Sequence, residues 1–339
     1  MRQKAYVALL AAAAFSLVAC GGHAGPRPGQ LTLGMVTDIG GLGDKSFNDS
    51  AHAGLLRAAA NLGAYTQVLQ SRSAADYQPN LSALSNQKYG MIYAIGFLMS
   101  KDLDQVAKQN PNQRYAIIDA VVDDPNVISV TFQEQDGSFL AGALAAMVSK
   151  THHVAFLGGQ DIPLLRKFEA GFTAGAHEID PNTKVDVKYV NSFDDVAAGK
   201  ELANVLFQSG ADIVYAAAGK AGLGAIDAAR ARPGAYIIGV DSDQDGLAPG
   251  KILTSMVKHV DIAVYDIAQD IKSGKLPSGH LVLGLKDHAI GLTDFQYTKA
   301  LIGLERVRRI NSLEQAIISG RIVVPTTREA LATFVPVKM

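Results

Sequence analysis

The chain has 339 residues, 48% hydrophobic and 19% charged, with a formal net charge of −1 at pH 7. That length exceeds what one compact core usually holds, so two lobes are expected. The balanced charge excludes a phosphate-tracking surface and hence a nucleic-acid partner, and no apolar run after residue 20 is long enough to span a bilayer.

The first element in chain order is an export signal. Arg2 and Lys4 form a short positive region, and residues 5–17 are an almost unbroken apolar run. Charge, apolar stretch and small residues before a cut are the parts of a secretory signal. Leu17-Val18-Ala19-Cys20 then places the only cysteine of the chain right after a small residue. That arrangement is what bacterial lipoprotein processing requires. Residues 1–19 are therefore expected to be a lipoprotein signal peptide, with Cys20 lipidated as the mature N-terminus on the extracytoplasmic face of the cell membrane. The plainer alternative is an ordinary cleaved signal with an accidental cysteine. With Cys20 lipidated no thiol remains, so disulfides, redox chemistry and cysteine-ligated metals drop out together. Residues 20–30 lack apolar periodicity and read as a flexible tether.

From residue 31 the pattern alternates between strand and helix. Residues 31–37 are a short apolar run, followed by a glycine-rich turn and a helical spacing over 46–62. Ser46 with Asp49 three residues on predicts a capping box that starts the helix at Phe47. Further strands are expected at 65–70, 91–95, 114–118 and 127–131, then a helix over 135–147. The alternation resumes with strands at 154–157, 185–190, 213–216 and 236–240, separated by helices such as 197–208. Such alternation predicts an α/β architecture of two doubly wound, mostly parallel sheets covered by helices. No short-period repeat is present, which excludes a solenoid.

Ligands of open α/β sheets bind beyond the carboxyl ends of the strands. Asp38, Asp119 and Asp241 each end a strand, and Gly219 follows one. Two of these positions fall in each half, so both lobes can face one cleft. A single such aspartate is usually a helix cap or turn residue; three in the same topological place point to a site. Phe47 and Asn48, in the first turn of the opening helix, fall beside Asp38. An aromatic face next to an amide that both donates and accepts suits a planar heterocycle, whereas an inward-packing Phe47 would be core.

Several catalytic-looking features fail. Gly43-Asp44-Lys45-Ser46 resembles the end of a phosphate loop, but Asp44 replaces the required glycine and would repel phosphate. Gly219-Lys220-Ala221-Gly222-Leu223-Gly224 follows a strand, with Asp241 after the next one, and is the best argument for an NAD-dependent dehydrogenase. Its glycine order is GxxGxG rather than GxGxxG. His152-His153 has no ligand partner at metal spacing, and no GxSxG setting occurs. No metal, cofactor or catalytic residue is expected.

The stretch LTLGMVTDIGGLGDKSFNDSAHAGL resembles the opening of the basic membrane lipoprotein family, purine-nucleoside receptors that serve ABC importers. RKFEAGFTAGA, YVNSFDD, AAAGKAGLGAI, IIGVDSDQ, LTSMVKHVDIAVYD, HLVLGLKDHAIGL and IISGRIVVPT resemble later blocks in the same order. The resemblance implies a type I periplasmic-binding-protein fold, two lobes joined by a three-strand hinge. Residues 31–131 plus 258–281 would form one lobe and 132–257 plus 282–339 the other. It implies that Phe47 stacks on a nucleobase, with Asp38, Asn48 and Asp119 as hydrogen-bonding partners at that end. Phe193 or Phe168 would supply the second ring, and backbone from Gly219 to Gly222 would approach the ligand. Asp241 would accept from the ribose diol, with Lys258 donating to it and neutralising the aspartate; alone, Lys258 would read as a solvated helix start. The implied partners are a nucleoside, an ABC permease with its ATPase, and the membrane through the lipid anchor. A ligand-sensing receptor without transport would present the same sequence.

Overall fold

The computed structural model describes residues 25–275 and 278–337. The expected signal peptide, Cys20 and the first part of the tether lie outside the described residues. Strands β1 (Thr32–Val36), β2 (Tyr65–Leu69), β3 (Met91–Ile95), β4 (Tyr115–Ile118) and β5 (Val127–Phe132) open the chain. They are followed by β6 (His153–Gly158), β7 (Lys184–Tyr189), β8 (Ile213–Ala217), β9 (Tyr236–Asp241), β10 (Ile252–Lys258), β11 (Gly279–Leu283) and β12 (Ile290–Leu292). The interspersed helices include α1 (Phe47–Leu62), α2 (Tyr77–Asn86), α3 (Ser100–Gln109), α4 (Glu134–Val148) and α5 (Pro163–Ile179). The later ones are α6 (Val196–Gln208), α7 (Gly222–Arg230), α8 (Val260–Lys272), α9 (Lys299–Ile318) and the short α10 (Arg328–Leu331).

The strands make two six-stranded sheets, β11-β5-β4-β3-β1-β2 and β12-β10-β9-β8-β6-β7. The two orders correspond strand for strand, so β4 occupies in one lobe the place of β9 in the other. Central strands such as β3 and β8 are buried along their whole length, which is why they read as continuous apolar runs rather than alternating ones. The pairings are parallel except at one edge, where β12 runs antiparallel to β10 while β11 is parallel to β5. The chain crosses between the sheets three times, from β5 to α4, from β10 to α8 and from β11 to β12. This is the type I periplasmic-binding-protein architecture. Each lobe is stiffened by close helix pairs. A Cβ on Gly142 of α4 would lie 1.9 Å from the Phe172 carbonyl oxygen of α5, so only a glycine permits that approach.

Helix α1 starts at Phe47 as expected, but its cap is not the expected one. Ser46 makes no side-chain cap bond. Asp44 caps instead: its Oδ1 accepts from the Ser46 and Asp49 amides, each at 3.0 Å, and its Oδ2 from the Asn48 amide at 2.8 Å. A carboxylate at a helix N-terminus also complements the helix dipole. Asp44, set aside in the sequence as a failed phosphate loop, is thus a structural group of this turn, and the Ser46 hydroxyl is released for other work.

Candidate ligand-binding site

A cavity of about 600 Å³, including its opening, lies between the lobes at the carboxyl ends of both sheets. Asp38, Phe47, Asn48 and Asp119 line it from the first lobe, and Phe168, Phe193, Gly219 and Asp241 from the second, with Lys258 between them. Gly222 does not line it. A 3₁₀ turn over Gly219–Ala221 carries the chain away, and Gly222 begins α7, where a Cβ would lie 3.4 Å from the Ala216 carbonyl oxygen. Gly224 serves packing too, since a Cβ there would lie 2.0 Å from the Val196 carbonyl oxygen of α6. Of the glycines that suggested a dinucleotide turn, Gly224 is therefore a helix-contact residue, Gly222 sits beside Ala216 of β8, and Gly219 has a φ of 55° and a place against Phe193 that require a glycine.

Lys258 is the centre of the site. It is the last residue of β10 and only 2% exposed, not a solvated helix start. Its Nζ lies 2.6 Å from Asp119 Oδ2, 3.7 Å from Asp241 Oδ1 and 3.9 Å from Glu134 Oε1. The family resemblance implies a pairing of Lys258 with Asp241 and a place for Asp119 at the base; in the structure the hydrogen bond goes to Asp119. The rings of Phe47, Phe132 and Phe168 surround the ammonium at 4.8, 5.4 and 5.6 Å, within cation–π range. Burial disfavours this charge, but Asp119, Asp241 and Glu134 outweigh it and hold the lysine pKa above its ordinary value. Asp241 and Glu134 are themselves pushed up by burial, with Lys258 pulling Asp241 back and Lys167 and Lys258 pulling back Glu134. Asp119 and Asp241 both have left-handed backbones, φ 69° and 63°. They sit at corresponding positions after β4 and at the end of β9, so matching strain in the two lobes turns two carboxylates toward one cation.

The other end is organised around Asp38. Its Oδ1 accepts from the Gly40 amide at 2.8 Å and from Asn48 Nδ2 at 2.7 Å. Asn48 Nδ2 also donates to Asp44 Oδ2 at 3.0 Å, and Asn48 Oδ1 accepts from the Asp38 amide at 3.2 Å. Both amide hydrogens of Asn48 are thus engaged by carboxylates, and its part is to orient Asp38. The second Asp38 oxygen accepts no hydrogen bond from the described residues. Burial pushes the Asp38 pKa up to about 6, against the bonds from Asn48 and Gly40. Because the folded pKa is raised, the folded protein takes up a proton more readily than the unfolded chain. Stability from this group is present at low pH and is lost as pH rises through about 4 to 6. A ligand N–H needs the ionised form, so affinity is expected to rise over the same interval and level off above it. Calorimetric titrations from pH 5 to 8 on wild type and Asp38→Asn check this: the variant should bind weakly with a flat profile. An equally sloped variant would remove Asp38 as the source.

Phe47 is 9% exposed and Phe168 3%, while Phe193 is half-buried. Phe193 lies over Gly159, where a Cβ would come within 2.3 Å of its ring. Both second-lobe rings line the cavity. The structure adds Asp44, Glu134 and Phe132 to the residues expected at the site. Glu134 is fully buried as the first residue of α4 and pairs with Lys167 at 2.5 Å. Nothing in the string TFQEQ distinguishes it from a solvated first-turn acid.

A family model described as ABC transporter substrate-binding protein PnrA-like matches residues 31–328. The chain belongs to this PnrA-like family. Among the relatives, the "CD4+ T-cell-stimulating antigen" of Listeria monocytogenes is 37% identical over 321 residues, covering 87% of this chain and 88% of its own. The "ABC transporter nucleoside-binding protein BmpA" of Lactococcus lactis is 35% identical over 327 residues, covering 90% and 92%. "Basic membrane protein A" of Borreliella afzelii is 34% identical over 324 residues, covering 94% and 98%. Among solved structures, an ABC transporter solute-binding protein from Aeropyrum pernix superposes with a TM-score of 0.83 at 30% identity, covering 89% of this chain and 96% of that one. The chain is accordingly a substrate-binding protein of an ABC transporter, a class that works on the extracytoplasmic side of the membrane with a permease and ATPase. The PnrA-like family and its fold are non-enzymatic, and the dehydrogenase reading finds no support. No helix among the described residues is long and apolar enough to cross a membrane.

Proposed function

We propose that this PnrA-like protein is anchored by a lipid on Cys20 and captures a nucleoside, purine favoured, which it delivers to an ABC permease. It has no catalytic activity in this reading. The observation that carries the ligand class is the acceptor-rich lining: the carboxylates of Asp38, Asp44, Asp119 and Asp241 against the ammoniums of Lys258 and Lys220, with Phe47, Phe168 and Phe193 as apolar faces. Carboxylates at both ends favour a ligand rich in O–H and N–H donors and repel phosphate; the rings favour a flat heterocycle between them. A nucleoside satisfies both demands and a nucleotide does not. Asp38 would read the base beside Phe47, and Asp241 with Lys258 would hold the ribose. Closure of the two lobes about the three crossings would then present a docking face to the permease.

The test is native mass spectrometry of freshly purified protein, followed by calorimetry with ribonucleosides, free bases and nucleoside monophosphates. Ribonucleosides should bind and monophosphates should not. Failure of every nucleoside would remove the ligand class while leaving the family assignment intact. The anchor is tested separately. Cys20→Ser should move the protein from the membrane to the soluble fraction or leave it unprocessed, since stable retention needs the several acyl chains that this modification supplies. A cleaved variant still tightly bound to membranes would overturn the anchor.

A further inference from the structure

We infer that Ser46 is a positioning residue that aims the Asp241 carboxylate from across the cleft, so that the sugar end of the site is complete only when the lobes are together. This rests on the proposal that Asp241 meets the ligand, and it adds a residue and a coupling to it. Ser46 immediately precedes α1 in the first lobe and is fully buried. Its Oγ is 2.7 Å from Asp241 Oδ2 and 3.3 Å from the Val240 carbonyl. A hydroxyl has one proton, and the shorter contact to the charged acceptor takes it.

That bond is the only one a described residue makes to the Asp241 carboxylate, because Lys258 stands 3.7 Å from the other oxygen, beyond hydrogen-bond range. The Asp241 backbone is left-handed, φ 63°, so its side chain is not held by an ordinary strand-end geometry. The serine is equally well fixed. Its amide donates to Asp44 Oδ1 at 3.0 Å, and its carbonyl accepts from Ser242 Oγ of the second lobe at 2.9 Å. A third bond between the lobes runs alongside, from Gln244 Nε2 to the Lys45 carbonyl at 2.9 Å. Gln244 is locked in turn by the Val240 amide on its Oε1 at 3.1 Å. Residues 45–46 and 241–244 therefore form a clasp of three hydrogen bonds between the lobes, centred on the carboxylate that the ligand would engage.

The clasp explains the displaced helix cap. A serine preceding a helix ordinarily turns its hydroxyl onto the first-turn amides; here Asp44 takes those amides and the hydroxyl reaches the other lobe. Separation of the lobes removes the one hydrogen-bond donor that the described residues give the Asp241 carboxylate and exchanges it for solvent. A ligand hydroxyl on Asp241 and the Ser46 bond to it thus favour the same closed arrangement, the reciprocity required of coupled equilibria.

The experiment uses the mature chain as Cys20→Ser, with Lys101→Cys on α3 and Lys200→Cys on α6 carrying a distance-reporting dye pair, both positions being exposed. Ser46→Ala should shift the ligand-free protein to longer interlobe distances, and Ser242→Ala should shift it less in the same direction. With a bound ribonucleoside, Ser46→Ala should raise the dissociation rate about tenfold or more and leave association within about threefold, the usual mark of a lost buried contact to a charged group. In an Asp241→Asn background Ser46→Ala should add little, because the charged acceptor is gone. Since Asp44 holds the cap, thermal stability should fall less than for an ordinary cap deletion. Unchanged distances together with an unchanged dissociation rate would overturn the inference, as would full additivity with Asp241→Asn. If no nucleoside binds any variant, the distance measurement alone still decides the clasp, separately from the ligand class.

Discussion

Lys258→Met is expected to be the most destabilising single change in the site, at about 3–5 kcal/mol, the scale for removing one partner from a buried ion pair. Methionine fills much of the volume and keeps contact with the rings of Phe47, Phe132 and Phe168. What it removes is the charge. Asp119 loses its hydrogen bond of 2.6 Å, and Asp241 loses the cation that pulls its pKa down. Glu134 retains Lys167 at 2.5 Å and suffers least. The destabilisation should carry a pH signature. With the cation gone the folded-state pKa values of Asp241 and Glu134, already raised by burial, rise further above their unfolded values, so the folded protein binds protons more strongly. Stability should therefore recover as pH falls toward the unfolded carboxylate range and worsen as it rises. Denaturant titrations at pH 5 and pH 7.5 measure this. Lys258→Met combined with Asp119→Asn should regain stability without regaining ligand, because neutral polar neighbours no longer need a counter-charge. If the single variant is as stable as wild type at pH 7.5, the ammonium is not what makes the buried carboxylates tolerable.

The parts of this structure legible in the sequence are those set by local pattern. Parallel strands buried on both faces must be apolar throughout, so 91–95 and 213–216 could be marked without any structure. Residues ending such strands must sit at the ligand edge, which put Asp38 and Asp119 on one side of the cavity and Asp241 on the other. Partner identity was not legible. Asp119 and Asp241 end corresponding strands, and nothing local says which takes the hydrogen bond from Lys258; that depends on how the lobes approach. The same holds for Ser46, whose sequence context states a helix cap while its bond goes to a residue 195 positions away. Glu134 was invisible for a related reason. A first-turn acid is buried or solvated according to which helix covers it, and Lys167 on α5 decides that here. Gly222 erred the other way, since its spacing suggested a ligand turn while the 3₁₀ turn over Gly219–Ala221 carries it away from the cavity and beside β8.

Asp241→Ala should weaken ribonucleoside binding by about 2–5 kcal/mol, the range for truncating one side of a buried charged contact, while leaving the fold nearly as stable as before. The two halves follow from the same geometry. Asp241 and Asp119 repel each other across Lys258, and burial already raises the Asp241 pKa, so removing this carboxylate relieves a charge that Lys258 can transfer wholly to Asp119. Thermal stability should thus move little, opposite to Lys258→Met. Binding should suffer because Asp241 Oδ1 and the Lys258 ammonium stand 3.7 Å apart, a gap that a ligand hydroxyl can bridge by donating to the carboxylate and accepting from the ammonium. A site built for a hydroxyl rejects the analogue lacking it more strongly than the lost contact suggests, since its own polar groups are left unpaired. Wild type should therefore prefer ribonucleosides to 2′-deoxynucleosides, and Asp241→Ala should shrink that preference toward unity. Calorimetry with adenosine, guanosine, inosine, uridine and their deoxy forms measures both effects on one pair of proteins. Equal wild-type affinity for ribo and deoxy ligands would remove the sugar from Asp241 and leave that carboxylate with the clasp alone.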